Sequence, residues 1–140
     1  MIHRVLRVLD WIVDFVFVTR KYDEEAILSF LYTLDASYDI MRRVNKIMAS
    51  GKPNKAFTYT NSNLRRAFVM IGPTTSGAEF LNSFSHEMDH LADAIALSLG
   101  VKEDKEGTSY LTGDATMALA EVICELGCDK CRESLDLRHW

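Results

Sequence analysis

Hydrophobic residues in the first half of the chain cluster or alternate in patterns that predict three strands. Residues Phe15 to Val18 are all β-branched or aromatic, which favours a short strand beginning as early as Trp11. Aromatic residues alternate with threonine from Phe57 to Thr60, and Ala67 to Ile71 is an apolar run closed by a glycine and a proline. We expect the last two segments to be neighbouring strands.

Helical periodicity bounded by capping residues marks four other segments. The predicted helices are one capped by Asp23 and running to Leu34, a second from Ala36 to Ala49, a third capped by Thr75 or Ser76 and running to Leu99, and a last one from Thr112 to Leu126. Val101 to Ser109 is mostly charged or polar and is expected to form a loop. The order of elements predicts one α+β domain over residues 1–140, with helices packed on a small sheet.

Composition and charge narrow the classes of partner. The 140 residues suffice for one core without disulfides, and the 48% apolar and 26% charged fractions are those of an ordinary globular domain. A net charge of -4 gives the chain no overall positive charge to attract a phosphate backbone, so we expect no nucleic-acid partner.

The N-terminal segment superficially has the form of a signal peptide, because Arg4 and Arg7 precede apolar residues. Asp10 and Asp14 interrupt that apolar stretch, and no small-residue cleavage site follows. No apolar run is long enough to span a bilayer. We therefore expect a cytoplasmic protein without a membrane segment.

The helix predicted from Thr75 or Ser76 contains the sequence His86-Glu87-Met88-Asp89-His90. A helix turns about 100° per residue, so His86 and His90 lie within about 40° of each other on one face, where two imidazoles can share one metal ion. Glu87 projects about 80° from the bisector of that pair, beside the position of a metal-bound water. This spacing predicts a metal centre with a carboxylate placed as a general base.

This HExxH arrangement resembles the zincin metallopeptidases, over five residues and their helical context. The resemblance implies a minimal zincin-like α+β domain, in which the HExxH helix and a following helix pack on the sheet. It also implies Zn²⁺ held by His86 and His90, Glu87 as the base that deprotonates the metal-bound water, and a peptide or protein substrate. The metzincin extension is absent, because Asp93 and Ala96 occupy its positions.

The last predicted helix is the candidate source of a third metal ligand. Asp114, Glu121 and Glu125 have the spacing i, i+7, i+11, which places them within about 40° on one face and forms an acidic stripe. In the glutamate-ligand zincins the third ligand comes from such a downstream helix, so the resemblance implies Glu121 first, Asp114 second and Glu125 third. A merely solvated stripe is the alternative for each carboxylate.

Two acidic residues of the motif helix modify this hypothesis. Asp93 lies one turn beyond His90, where it could orient an imidazole, reach the metal or be a plain surface residue. Asp89 departs from the usual zincin pattern, in which the residue before the second histidine is uncharged, and its charge would weaken polarisation of the bound water. An ordinary amphipathic helix with a polar face accounts for the same periodicity without any metal.

Three cysteines, Cys124, Cys128 and Cys131, follow one another near the C-terminus with CxxxCxxC spacing. That spacing is found in iron-sulfur enzymes, but there it begins a long barrel, whereas nine residues follow Cys131 here. A small zinc site with Cys128, Cys131 and His139 is a further alternative. Reduced thiols are the simplest expectation.

A looser resemblance concerns the stretch from Met41 through the motif helix. Its segments Gly51-Lys52-Pro53-Asn54, Phe57-Thr58-Tyr59 and Asn63-Leu64-Arg65-Arg66 resemble those of small uncharacterised proteins of phages and mobile elements of gut Bacteroidetes. The resemblance implies an origin and no mechanism. It leaves open an alternative to the hydrolase, namely a non-catalytic phage structural, assembly or regulatory interaction protein with a degenerate or metal-only site.

Overall fold

The fold is known from a computed structural model that describes residues 1–100 and 105–131, the side chains of residues 105–108 excepted. Over these residues the chain forms β1 (Ile2–Val8), β2 (Trp11–Phe17), α1 (Glu24–Thr33), α2 (Tyr38–Ala49), β3 (Ala56–Asn61), β4 (Arg66–Ile71), α3 (Gly77–Ser98), α4 (Lys105–Ala118) and α5 (Ala120–Leu126). A further helical turn covers residues 129–131. The chain is an α+β protein, as predicted.

The four strands form one mixed sheet in the order β1-β2-β4-β3. β1 and β2 are an antiparallel hairpin, β2 and β4 run parallel, and β3 and β4 are antiparallel neighbours, as expected from their sequence patterns. β3 is therefore an edge strand. α3 packs against β3 as well as β4.

Helices cover both faces of the sheet, so the core has two parts. On one face Phe15 and Phe17 pack with Phe80, Phe84 and other apolar residues of α3, α4 and α5. The opposite face buries a second cluster beneath α1 and α2, whose members include Val16, Phe68, Met70, Ile27, Leu31 and Val44. α3 is thus held on the sheet by its apolar side, which leaves its polar side for the candidate site.

Side-chain caps begin the helices where the sequence predicts them. The carboxylate of Asp23 accepts the backbone N–H of Ala26 at 3.1 Å, and the hydroxyl of Ser76 accepts that of Glu79 at 3.1 Å. α3 ends at Ser98, and Gly100 adopts a φ of 75°, a conformation that glycine accepts without strain. The extent of the HExxH helix is thereby confirmed.

Three details differ from the predictions. β1 was not predicted, because its burial pattern does not alternate and it carries charged residues. α4 begins at Lys105, so the expected loop from Val101 to Ser109 is wrong from residue 105 onwards, and residues 101–104 lie outside the described part. The last helix is divided at Leu119, whose ψ of 11° departs from helical geometry.

Among the residues that the structure describes, no helix combines the length and the apolar character needed to cross a bilayer.

Gly77 at the start of α3 provides a test of the packing. A Cβ at Gly77 would lie 2.2 Å from the carbonyl oxygen of Gly127, whereas a Cβ at Gly113 in α4 would meet nothing within 4 Å. We expect Gly77→Ala to lower the free energy of unfolding by about 1–3 kcal/mol, because backbone must move to admit the methyl group. Gly113→Ala is the matched control and should raise it by about 0.5–1 kcal/mol. Urea unfolding of both variants measures the difference, and equal effects would contradict the close approach.

Candidate metal centre

His86 and His90 lie one helical turn apart on the exposed side of α3, as the sequence predicts. Their Nε2 atoms are 3.1 Å apart, within hydrogen-bonding distance if one ring donates its Nε2–H to the other. The two ring planes are nearly perpendicular, at 88°, with centroids 4.6 Å apart. The two Nε2 atoms therefore lie close together on the exposed side of α3.

The spacing of the two Nε2 atoms suits a tetrahedral metal ion. With Zn–N bonds of about 2.0–2.1 Å and a tetrahedral angle, two ligating nitrogens lie about 3.3 Å apart. The observed distance between the two Nε2 atoms, 3.1 Å, is close to this value. The separation of the two nitrogens is therefore compatible with a shared metal ion.

Glu87 is the buried member of the motif, with 6% of its surface exposed. The hydroxyl of Thr58 on β3 donates a hydrogen bond to Glu87 Oε2, which fixes the carboxylate against the edge strand. One ligand atom from each of His86, Glu87 and His90 lies within 4.8 Å of the others. Glu87 is therefore close enough to act on, or to bind, an ion held by the histidines.

An open cleft of about 390 Å³ adjoins this group. Its lining comes from α2, β3 and α3, namely Ile40, Arg43, Ala56, Phe57, Thr58, Thr60, Glu87 and His90. The guanidinium carbon of Arg43 lies 5.9 Å from the centroid of the Phe57 ring, a cation–π contact that holds this charge at the cleft wall. The cleft thus combines a cationic side chain, threonine hydroxyls and the motif residues.

The predicted third ligands, Asp114 and Glu121, are not brought into the group. Both are exposed, on α4 and α5, and the group formed by His86, Glu87 and His90 includes neither. Helical geometry explains this, because Asp114 on α4 lies about 100° from the buried Ala115, and Glu121 on α5 lies about 100° from the buried Val122. Their assignment as ligands stays a prediction that this geometry does not support.

Asp89 and Asp93 are exposed residues of α3. They line a separate cleft of about 310 Å³ together with Ala92, Ser109, Thr112 and Gly113. Helical geometry places Glu87 and Asp89 about 160° apart around α3, and they line different clefts. The expectation that the charge of Asp89 weakens polarisation of a metal-bound water stays a prediction, because Asp89 directly precedes His90.

Sequence reasoning missed Thr58 and Arg43. A signal for Thr58 was present, since alternation from Phe57 to Thr60 places both threonines on the face opposite the aromatic residues. No local signal places Arg43 at this cleft, because its approach depends on how α2 packs on the sheet. Packing between elements that are distant in sequence brings both residues to the site.

The chain was compared with known proteins at three levels. No family model matches it, and neither does any curated protein or solved structure. The functional argument therefore rests on the geometry of this site and on the chemistry of its residues.

Proposed function

We propose that this protein is a zinc-dependent hydrolase, a small metallopeptidase in which His86 and His90 hold the ion and Glu87 is the general base. The observation that carries the proposal is the convergence of these three side chains beside an open cleft, with the two Nε2 atoms 3.1 Å apart. The amphipathic-helix alternative requires no such convergence.

The ligand chemistry favours zinc. Two imidazoles with a nearby carboxylate are the donor set of catalytic zinc sites, whereas magnesium and calcium prefer sites made of oxygen ligands alone. By resemblance to the glutamate-ligand zincins, Glu121 or Asp114 would supply a third protein ligand, which requires α4 and α5 to move towards the histidines. When bound, zinc lowers the pKa of a coordinated water towards about 7.

Glu87 has the surroundings of a general base. Because Thr58 binds Oε2, the other carboxylate oxygen remains to accept a proton from the attacking water. Burial excludes competing water from the carboxylate, and the hydrogen bond from the edge strand prevents it from rotating. The same oxygen can then return the proton to the departing amine.

The cleft suits an extended peptide. β3 is an edge strand, so within the described residues the backbone groups on its outer side face no other strand and can pair with a substrate chain. Arg43 adds a positive charge at the cleft wall, which favours substrates that carry a carboxylate near the cleaved bond. We propose a cytoplasmic location, since an odd number of cysteines, three in all, does not suggest the disulfide framework of a secreted protein.

The proposal is tested by incubating the full chain, loaded with zinc or stripped with a chelator, with an unfolded protein and identifying fragments by mass spectrometry. We expect fragments only with zinc, with an excess of acidic residues near the cleavage points. Stoichiometric zinc without cleavage would overturn the hydrolase and indicate a metal-binding scaffold. Absence of both would favour the non-catalytic phage structural or interaction protein.

A further inference from the structure

A second cluster of reactive side chains lies beyond α5, outside the proposed metal centre. α5 ends at Leu126, Gly127 caps it, and residues 129–131 form a helical turn. The segment from Cys128 to Cys131 has the sequence Cys128-Asp129-Lys130-Cys131, so one cysteine lies at each end. Cys131 is exposed and Cys128 is partly so.

The two thiols interact with each other. Hydrogen bonds to the Cys128 sulfur from the backbone N–H and then from the side chain of Cys131 lower the pKa of Cys128 below its ordinary value. The nearby charge of Asp129 acts in the opposite direction but does not cancel them. The segment therefore stabilises a thiolate at Cys128 with a second thiol beside it.

The spacing also permits a bond between the sulfurs. Cys128 directly precedes the helical turn and Cys131 is its third residue. With a rise of about 1.5 Å per residue and a radius of about 2.3 Å, Cα atoms at this spacing lie about 5 Å apart. This lies within the range of about 4.4–6.8 Å that disulfides span without moving the backbone. Cys124 is one turn before Cys128, on α5, and provides an internal comparison.

The segment is attached to the rest of the protein at the start of α3. The backbone N–H of Gly77 donates to Asp129 Oδ1 at 2.8 Å, and Gly77 lies so close to the Gly127 carbonyl that a Cβ would not fit. These contacts hold the turn in place. His86 is nine residues further along α3, about 13 Å from Gly77, so the thiol pair and the metal centre are separate.

We propose that Cys128 and Cys131 are a reversible dithiol–disulfide couple that exchanges with low-molecular-weight disulfides such as oxidised glutathione. The Cys128 thiolate attacks a sulfur of the disulfide, forming a mixed disulfide and releasing one glutathione thiolate. The Cys131 thiol loses its proton, and its thiolate attacks the Cys128 sulfur and releases the second. The protein loses two electrons and two protons, and one oxidised glutathione becomes two reduced molecules.

The test uses the full chain, reduced and then incubated with oxidised glutathione, with unreacted thiols alkylated before peptide mass spectrometry. We expect a mass loss of about 2 Da, a Cys128–Cys131 link and alkylation of Cys124 alone. Cys124→Ser should show the same mass loss and the same Cys128–Cys131 link, with no cysteine left to alkylate. Cys131→Ser should instead accumulate a stable glutathione adduct on Cys128, because the resolving thiol is missing. Reduced glutathione should reverse both products.

Three results would overturn the proposal. These are alkylation of all three cysteines after oxidation, loss of the internal disulfide in Cys124→Ser, and thiols protected from alkylation without the mass loss, as a thiolate-bound metal would produce. The Cys124→Ser control also excludes a general effect of removing a cysteine. None of these outcomes depends on whether the HExxH centre binds zinc.

Discussion

Replacing Glu87 by glutamine should abolish hydrolysis while leaving zinc in place. Glutamine has nearly the same shape and can still accept the hydrogen bond from Thr58, but its amide cannot take a proton from water. Loss of general-base catalysis reduces the rate by about 10²–10⁴-fold. The measurement is kcat on the cleaved substrate together with the zinc content of the same sample.

Ser85→Ala is the matched control for Glu87→Gln, because Ser85 is an exposed neighbour of the motif on α3. It should retain both zinc and activity. Zinc loss in Glu87→Gln would identify Glu87 as a metal ligand, a role that the 4.8 Å grouping permits, and would contradict its assignment as the base. Full activity with zinc bound would contradict its catalytic role altogether.

Replacing His86 by alanine should remove the stabilisation that zinc gives to the fold. A ligand at 100 times its dissociation constant raises the free energy of unfolding by about 2.7 kcal/mol, which corresponds to several degrees in Tm. His86→Ala leaves one imidazole of the pair and should show almost no zinc-induced shift. Thermal unfolding of both proteins with and without added zinc measures the effect.

The same experiment on His90→Ala and Ser85→Ala completes this prediction. His90→Ala should lose the shift as His86→Ala does, since the two Nε2 atoms are 3.1 Å apart and each variant removes one of the two proposed ligands. Ser85→Ala should keep it. A zinc-induced shift that survives removal of either histidine would place the metal elsewhere in the chain.

The sequence predicts most of the secondary structure because the relevant signals are local. The caps at Asp23 and Ser76 and the apolar runs of β2 and β4 act within a few residues. β1 escaped prediction because only two of its residues, Ile2 and Val8, are buried, and its partner β2 stabilises it through backbone pairing. The parallel pairing of β2 with β4 joins distant segments and has no local signal.

The candidate site likewise has one part that could be predicted from the sequence and one part that could not. The i, i+4 spacing placed His86 and His90 together because one helix fixes both, and the structure shows their rings in contact. The proposed third ligand depended on how α4 and α5 dock, and the core residues of those helices direct Asp114 and Glu121 elsewhere. Thr58 contacts Glu87 through the packing of α3 on β3. Helix-internal geometry could therefore be predicted, whereas contacts between elements could not.

Metal content tests the central claim most directly. Elemental analysis of the purified wild-type chain, dialysed against a metal-free buffer after loading with zinc, should give about one zinc per molecule, and His86→Ala treated identically should give almost none. Each thiol of the Cys128–Cys131 couple can be alkylated first, so that these two thiols do not hold the zinc that remains. A wild-type protein that retains no zinc, or an equal amount in wild type and His86→Ala, would contradict a metal centre at His86 and His90.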